Sequence, residues 1–384
     1  MMNSRERILA AMKREEVDYV PLSTFFRESQ LEPGRYRDWQ RGDPYSEESI
    51  CFQVEKLGID PVIPLNVPVG QHPNLISHIR VENSTSEPYP ILYKEIMTPR
   101  GPLTAAIRKT PDYPHGEDIP LISDFCVSRF VKPWIETMED VERWSYVHMP
   151  PGDREIALMR ERAKRVQTLS KQWGLAIMTE IGMGLTAAHL LFGKNVIYIA
   201  MDNPEVIERF LEIEHRTTIS RLELALDPAF GVDIVKRNGF YETADFWSPK
   251  QLRFFLDKHL REEVELVHSS GRVCSYTVCT GVMPILDLLS ELPFDAYCDI
   301  EPVLGNQDKK VIEEKLGKKK CIWGGVSAPI HIGEGNPTVV QRAVREAFEV
   351  FGRRGFILHA VPSIRAHWPW ENVLAFIEEW KKLR

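Results

Sequence analysis

Short apolar runs recur along the chain between polar stretches, and their length and spacing predict strands. They fall at Tyr19 to Phe25, Pro61 to Leu65, Leu175 to Ile181, Val232 to Val235, Arg272 to Val278, Phe294 to Ile300, Lys320 to Trp323 and Gly355 to Leu358. Runs of four to seven residues bounded by turn formers suit buried strands. Between most of them the apolar period lengthens to that of a helix, behind clear start signals. Asn203-Pro204, Ser248-Pro249 and Asn336-Pro337 each place a capping residue before a proline at the first helical position. After Ser248 the stripe is Leu252, Phe255, Leu256 and Leu260. After Asn336 it is Val339, Val340, Ala343, Ala347 and Val350, stopping at Gly352. At the start of the chain Asn3 and Glu6 form a capping-box pattern ahead of Ile8, Leu9 and Met12.

Repeated strand-then-helix units predict a parallel α/β sheet, and eight of them predict a (β/α)8 TIM barrel, with an open doubly wound sheet as the alternative because periodicity does not reveal closure. The interval from Asn66 to Trp173 breaks the alternation. It carries β-like runs at Ile76 to Val81 and Ile91 to Ile107, with Arg100-Gly101 as a turn. This reads as a β-hairpin insertion between strands 2 and 3, long enough to lie over a barrel mouth. One domain over residues 1–384 is expected, with 66–173 as insertion and connecting helices.

Composition narrows the partners. The chain is 43% hydrophobic and 27% charged, which supports a sizeable core, and its net charge of -7 is interspersed without basic stripes, so nucleic acid is not an expected partner. No leader pattern opens it and no long uncharged apolar window interrupts it, so neither secretion nor membrane spanning is expected, and a cytoplasmic location is. Its six cysteines lack paired CxxC spacing, which favours reduced thiols.

In a barrel, chemistry is built from residues following each strand. Those positions are polar here: Arg27 and Glu28, Asn66, Glu180, Arg237 with Asn238 and Glu242, Cys279, Asp299 with Glu301, and His359 followed by Arg365 and His367. Cys279 could serve as a metal ligand or nucleophile, or be a buried inert thiol. His359 could be a general acid, a zinc ligand or a hydrogen-bonded lining residue. Glu242 and Glu180 could act as a base or anchor an amine, or simply be solvated. Trp368 and Trp370 could wall the site or pack a loop. No GxGxxG, Walker loop, HExxH or GxSxG occurs, which argues against a nucleotide cofactor, a zincin and a serine hydrolase.

Several segments together resemble the uroporphyrinogen decarboxylase superfamily, in its divergent branch near the cobalamin-dependent methyltransferases. They are Arg5-Glu6-Arg7-Ile8-Leu9-Ala10-Ala11-Met12, Asp18-Tyr19-Val20-Pro21, Trp247-Ser248-Pro249, the Cys279 strand, Gly324-Gly325-Val326, Gly355-Phe356-Ile357-Leu358 and Pro369-Trp370-Glu371-Asn372-Val373. The resemblance implies a (β/α)8 barrel with its cleft at the C-terminal mouth. The superfamily's methyltransferases bind zinc through a His-x-Cys and a later Cys. Here Cys279 matches, but Thr277 and Pro362 stand at the other two ligand positions. A rearranged zinc site of Cys279, His359 and Glu242 is the expectation that remains.

The resemblance implies a corrinoid-dependent methyltransferase or demethylase, with the corrinoid supplied by a partner protein and a homodimer as the assembly. Glu242, His359 and Cys279 are the expected catalytic residues. Arg27, Glu180, Arg237, Asn238, Tyr241, Tyr276, Glu301 and Arg365 are the expected substrate contacts. The alternatives are a decarboxylase of a tetrapyrrole or other acidic substrate, with Arg27, Arg35, Arg37, Arg237 and Arg365 gathering its carboxylates, and a non-catalytic tetrapyrrole or corrinoid binder.

Overall fold

A computed structural model of the chain describes residues 1–26, 43–83, 87–365 and 367–384. Seven parallel strands form the central sheet: β1 (Ile63–Pro64), β6 (Ile177–Glu180), β7 (Ile234–Asn238), β8 (Val273–Thr277), β9 (Ala296–Ile300), β10 (Cys321–Ser327) and β11 (Phe356–Val361), side by side in that order. Each overlaps a run expected from the apolar pattern. The remaining run, Tyr19 to Phe25, makes only bridges: Leu22 pairs with Leu358 and Phe26 with Ile364, while the Asp60 N–H reaches the Leu22 carbonyl from the other side. Pro21 has no N–H to donate, so this run cannot form a full ladder.

The sheet curls around a core of its own. Val62, Met178, Ile234, Val273, Ala296, Cys298, Cys321, Trp323 and Ile357, drawn from beside β1 and from every other strand of the sheet, make one buried cluster with Ile8, Ala11 and Met12 of the first helix, Ser4–Met12. That helix begins as expected, with Asn3 and Glu6 capping each other's backbone N–H. The other face of the strands packs against the helices in the main core. Along β7 the alternation is strict: Ile234 points inward and Val235 outward, so Lys236 follows inward and Arg237 outward.

Between β1 and β6 the chain forms a separate antiparallel sheet of β2 (Ile76–Glu82), β3 (Ile91–Thr98), β4 (Gly101–Arg108) and β5 (Phe130–Lys132). Strands β3 and β4 pair from Ile91 with Arg108 to Thr98 with Gly101, and Gly101 takes a φ of 95° to turn the chain between them. Among the described residues no helix is long and apolar enough to cross a membrane.

The helix starts test the capping rule. Ser248 accepts the Gln251 N–H, and Asn336 accepts the Val339 N–H. Asn203 stands at the same position of Pro204–Ala225 with φ −141° and ψ 62° and makes no such bond. Ser248→Ala should therefore cost about 1 kcal/mol of unfolding free energy, whereas Asn203→Ala should change it by less than about 0.5 kcal/mol. Equal losses in chemical denaturation would contradict this.

Candidate functional site

Above the apolar cluster, where the strands end, the inward-facing residues become charged. Lys236 is only 4% exposed. Its Nζ lies 3.5 Å from Glu180 Oε1 at the end of β6 and 4.5 Å above the centre of the Phe25 ring. Burial alone would lower its pKa, but the Glu180 and Asp299 carboxylates outweigh burial and raise it, so the ammonium stays protonated. Asp299, at the end of β9, is held low by Lys236 and His359 against the opposing effect of burial. One of its oxygens meets His359 Nε2 at 3.1 Å, and the other lies 3.8 Å from the Cys279 sulfur. His359 is fully buried on β11, with Nδ1 3.0 Å from the Thr24 hydroxyl and its ring edge-on to Phe25. Two carboxylates face one ammonium in this buried strand-end cluster, the chamber, while two small cavities lie on the outward face, one beside Glu242 and Tyr276 and one beside Arg237 and Glu263.

The polar atoms around the chamber are not all satisfied. Asn238 donates to Glu180 at 3.4 Å, but its own carbonyl oxygen is buried without a partner. Glu301 holds the following turn by accepting the Val303 and Gly305 N–H groups on one oxygen, while its other oxygen is buried and unpaired. Unpaired buried acceptors cost roughly 1–3 kcal/mol each, so these two oxygens call for a donor that the protein's own groups do not supply. Tyr241 closes one side, donating its hydroxyl to Asp124 at 2.6 Å. Asp124 belongs to the 66–173 interval, which thus reaches the strand ends.

The expected residues divide. Glu180, Asn238, Cys279 and His359 belong to the chamber, with Glu301 and Tyr241 beside it. Arg365 follows β11 and is half-buried. Arg27, Glu28, Arg35 and Arg37 lie outside the described residues. Arg237, Glu242 and Tyr276 are a correction, because they occupy the opposite face of the sheet. Arg237 donates to Glu263 at 2.9 Å and to Glu242 at 3.1 Å, and the Tyr276 hydroxyl donates to Glu242 at 2.5 Å. Glu242 also accepts the Leu185 N–H at 3.0 Å. All three are buried in a closed ion network under the helices.

Zinc held by Cys279, His359 and Glu242 therefore does not fit. Glu242 is on the wrong face, and Lys236 brings its own positive charge to the space the ion would need. Among the described residues, three ligand atoms gather elsewhere, at His215, His259 and Glu262 in the helix layer.

Sequence reasoning missed Lys236 because the strand was read as ending at Val235. Continuing the two-residue period from Ile234 would have found it. Asp299 was seen only as a neighbour of Glu301.

The site has a pH signature. Burial pushes the imidazoles of His148, His189, His259, His331 and His359 below their ordinary value of 6.5. His215 alone among the shifted histidines moves up, because Glu263 and Glu262 overcome its burial. A depressed imidazole contributes stability above its unfolded pKa and loses it as pH falls, since the unfolded chain then binds the proton more readily. Asp299 and Glu263, held low by Lys236 and Arg237 despite burial, add the same sign at more acid pH. Between pH 7 and pH 5 the five depressed imidazoles should outweigh His215 and the Glu242, Asp60 and Glu313 carboxyls, which burial pushes up and which act with the opposite sign, so stability should fall from about pH 6.5 downward. Denaturant midpoints that stay level or rise between pH 7 and pH 5 would refute this assignment.

Comparison with known proteins bears on the family and the fold. The family model described as Uroporphyrinogen decarboxylase (URO-D) matches residues 122–383. Among curated proteins none matches the chain. Among solved structures, a methyltransferase from Methanosarcina mazei is similar at 17% identity, with a TM-score of 0.59 over 100% of this chain and 99% of that one. A B12-independent methionine synthase from Shewanella sp. W3-18-1 aligns at 11% identity over 94% of this chain and 96% of that one, with a TM-score of 0.49. At these identities the likeness is one of fold.

Proposed function

Because the chain belongs to the uroporphyrinogen decarboxylase (URO-D) family, we propose that it is an enzyme of the methyltransferase or demethylase kind, moving a methyl group between a small methylated compound in the strand-end chamber and a corrinoid carried by a partner protein. The observation that carries the reading is the buried Lys236 ammonium, kept charged by Glu180 and Asp299 where β7 ends. The fold shared along the whole chain with a methyltransferase supports it.

Demethylation breaks a bond from carbon to a heteroatom and leaves the electron pair on that heteroatom. A fixed ammonium next to it stabilises the developing negative charge without needing to move. Asp299 and Glu180 hold Lys236 protonated, His359, itself held by Thr24, orients Asp299, and the Asn238 and Glu301 acceptors are available to donor groups of the substrate. The corrinoid cobalt would supply the electron pair that takes the methyl group. No step runs through a metal bound by this chain. Arg237, committed to Glu242 and Glu263, is not available to gather carboxylates, which weighs against a decarboxylase of a polyacidic substrate.

The test is to incubate the protein with reduced cobalamin and a panel of methylated amines, thioethers and aryl ethers, following the cobalamin spectrum. Substrate-dependent methylation, abolished in Lys236→Met, supports the reading. Release of CO2 from a porphyrinogen, with no methylation from any donor, overturns it.

A further inference from the structure

The helix layer holds a cluster of titratable groups that the chamber chemistry does not use. His215 lies on the helix Pro204–Ala225, and His259, Glu262 and Glu263 lie on its neighbour Pro249–Ser269. His259 and Glu262 are three residues apart, so they share one helix face. The His215 and His259 rings are 4.3 Å apart between centroids, and one ligand atom from each of His215, His259 and Glu262 falls within 4.8 Å of the others. An ion pair of His215 with Glu262 and Glu263 accounts for part of this arrangement but leaves His259 unexplained. Two imidazoles this close repel one another once both are protonated, and His259 Nδ1 is buried with no hydrogen-bond partner.

We infer that His215, His259 and Glu262 form a binding site for a divalent first-row transition cation of the zinc type, outside the sheet and separate from the chamber. The donor set is two imidazole nitrogens and one carboxylate, which leaves a fourth position for water. The surroundings are arranged for it. Glu263 lies 3.1 Å from His215 Nδ1 and is itself fixed by Arg237 at 2.9 Å. A carboxylate in that position sets the imidazole tautomer, with the proton on Nδ1 and the Nε2 lone pair turned toward Glu262, the pattern by which histidine ligands are oriented. Nε2 meets Glu262 at 2.9 Å, a contact that a proton bridges when no cation does. The Glu262 side chain is 47% exposed, which gives the ion an approach from solvent. Once bound, the cation ties the two helices together through side chains from both.

The experiment uses the full chain, stripped with a chelator and titrated first with Co2+ and then with Zn2+. One Co2+ per chain is expected, with the visible absorption of a low-coordinate site, displaced by Zn2+ and accompanied by a rise in melting temperature. His215→Ala, His259→Ala and Glu262→Gln should each weaken Zn2+ binding by about 100-fold, and Glu263→Gln by about 10- to 100-fold through loss of orientation. Cys279→Ser should leave binding unchanged. Metal-free melting curves of the variants establish that each is folded. Absence of stoichiometric Co2+ binding would overturn the site, as would binding lost in Cys279→Ser and retained in folded His259→Ala. Because the readout is the ion itself, the result does not depend on which substrate the chamber takes.

Discussion

Lys236→Met is expected to cost about 3–5 kcal/mol of stability at neutral pH, the usual consequence of removing one partner from a buried ion cluster. The methionine is unbranched and only one atom shorter, so the loss reports chiefly charge rather than volume. Without the ammonium, Glu180 and Asp299 lack their common counter-charge, and burial then dominates Asp299. Its pKa should rise from below the ordinary carboxylate value to above it. The sign of its contribution reverses as well. In the native protein Asp299 stabilises above its unfolded pKa and loses that contribution on acidification. In the variant its contribution is present at low pH and lost as pH rises through the new pKa. Denaturant unfolding at pH 7 and pH 5 should therefore show a deficit that narrows in acid. Turnover of the folded protein should drop by about 100- to 1,000-fold, the scale of losing one fixed electrostatic group. A Lys236→Met protein as stable and active as the native one would remove the chamber from consideration.

Arg237→Met, one residue along, should be just as destabilising, at about 3–5 kcal/mol, for a different reason. It leaves Glu242 and Glu263 facing each other under the helices, both fully buried and with one hydrogen-bonding partner fewer. Yet at a temperature where the variant remains folded, its turnover should stay within a few-fold of native, because Arg237 points away from the chamber. Steady-state kinetics alongside a melting curve separate the two outcomes. A folded Arg237→Met protein with collapsed kcat would mean that the outward network reaches the chemistry, and that its exclusion from the site is mistaken.

The pair explains how far the chain could be read without coordinates. The strands were legible because apolar runs of the right length are what a buried parallel sheet requires, and seven of the eight runs form its ladder. The helix starts were legible at Ser248 and Asn336, where the side chain does cap. At Asn203 the residue type was right but the local backbone turned the side chain away. Cys279 and His359 are legible as polar residues following apolar runs, although Cys279 lies two residues past β8 and His359 lies inside β11. Glu242 was misplaced because its position depends on the path of the loop after β7, which folds back under the helices, and nothing in a periodic pattern encodes that direction. Asp299 was undervalued for a related reason. Cys298 already faces the interior, so simple alternation sends Asp299 outward. Its φ of 73° and the register shift between Trp323 and Gly324 opposite turn it back into the chamber.

The helix Ser4–Met12 has a kinetic meaning beyond its packing. By filling the lower end of the curled sheet with Ile8, Ala11 and Met12, it closes that end to solvent, so an approach to Lys236 would have to come from the strand ends. Whatever reaches Lys236 must depart by the route through which it came. Successive reactants then queue at a single doorway, a spent molecule must clear it before a fresh one is admitted, and product accumulating in solution should compete directly with substrate.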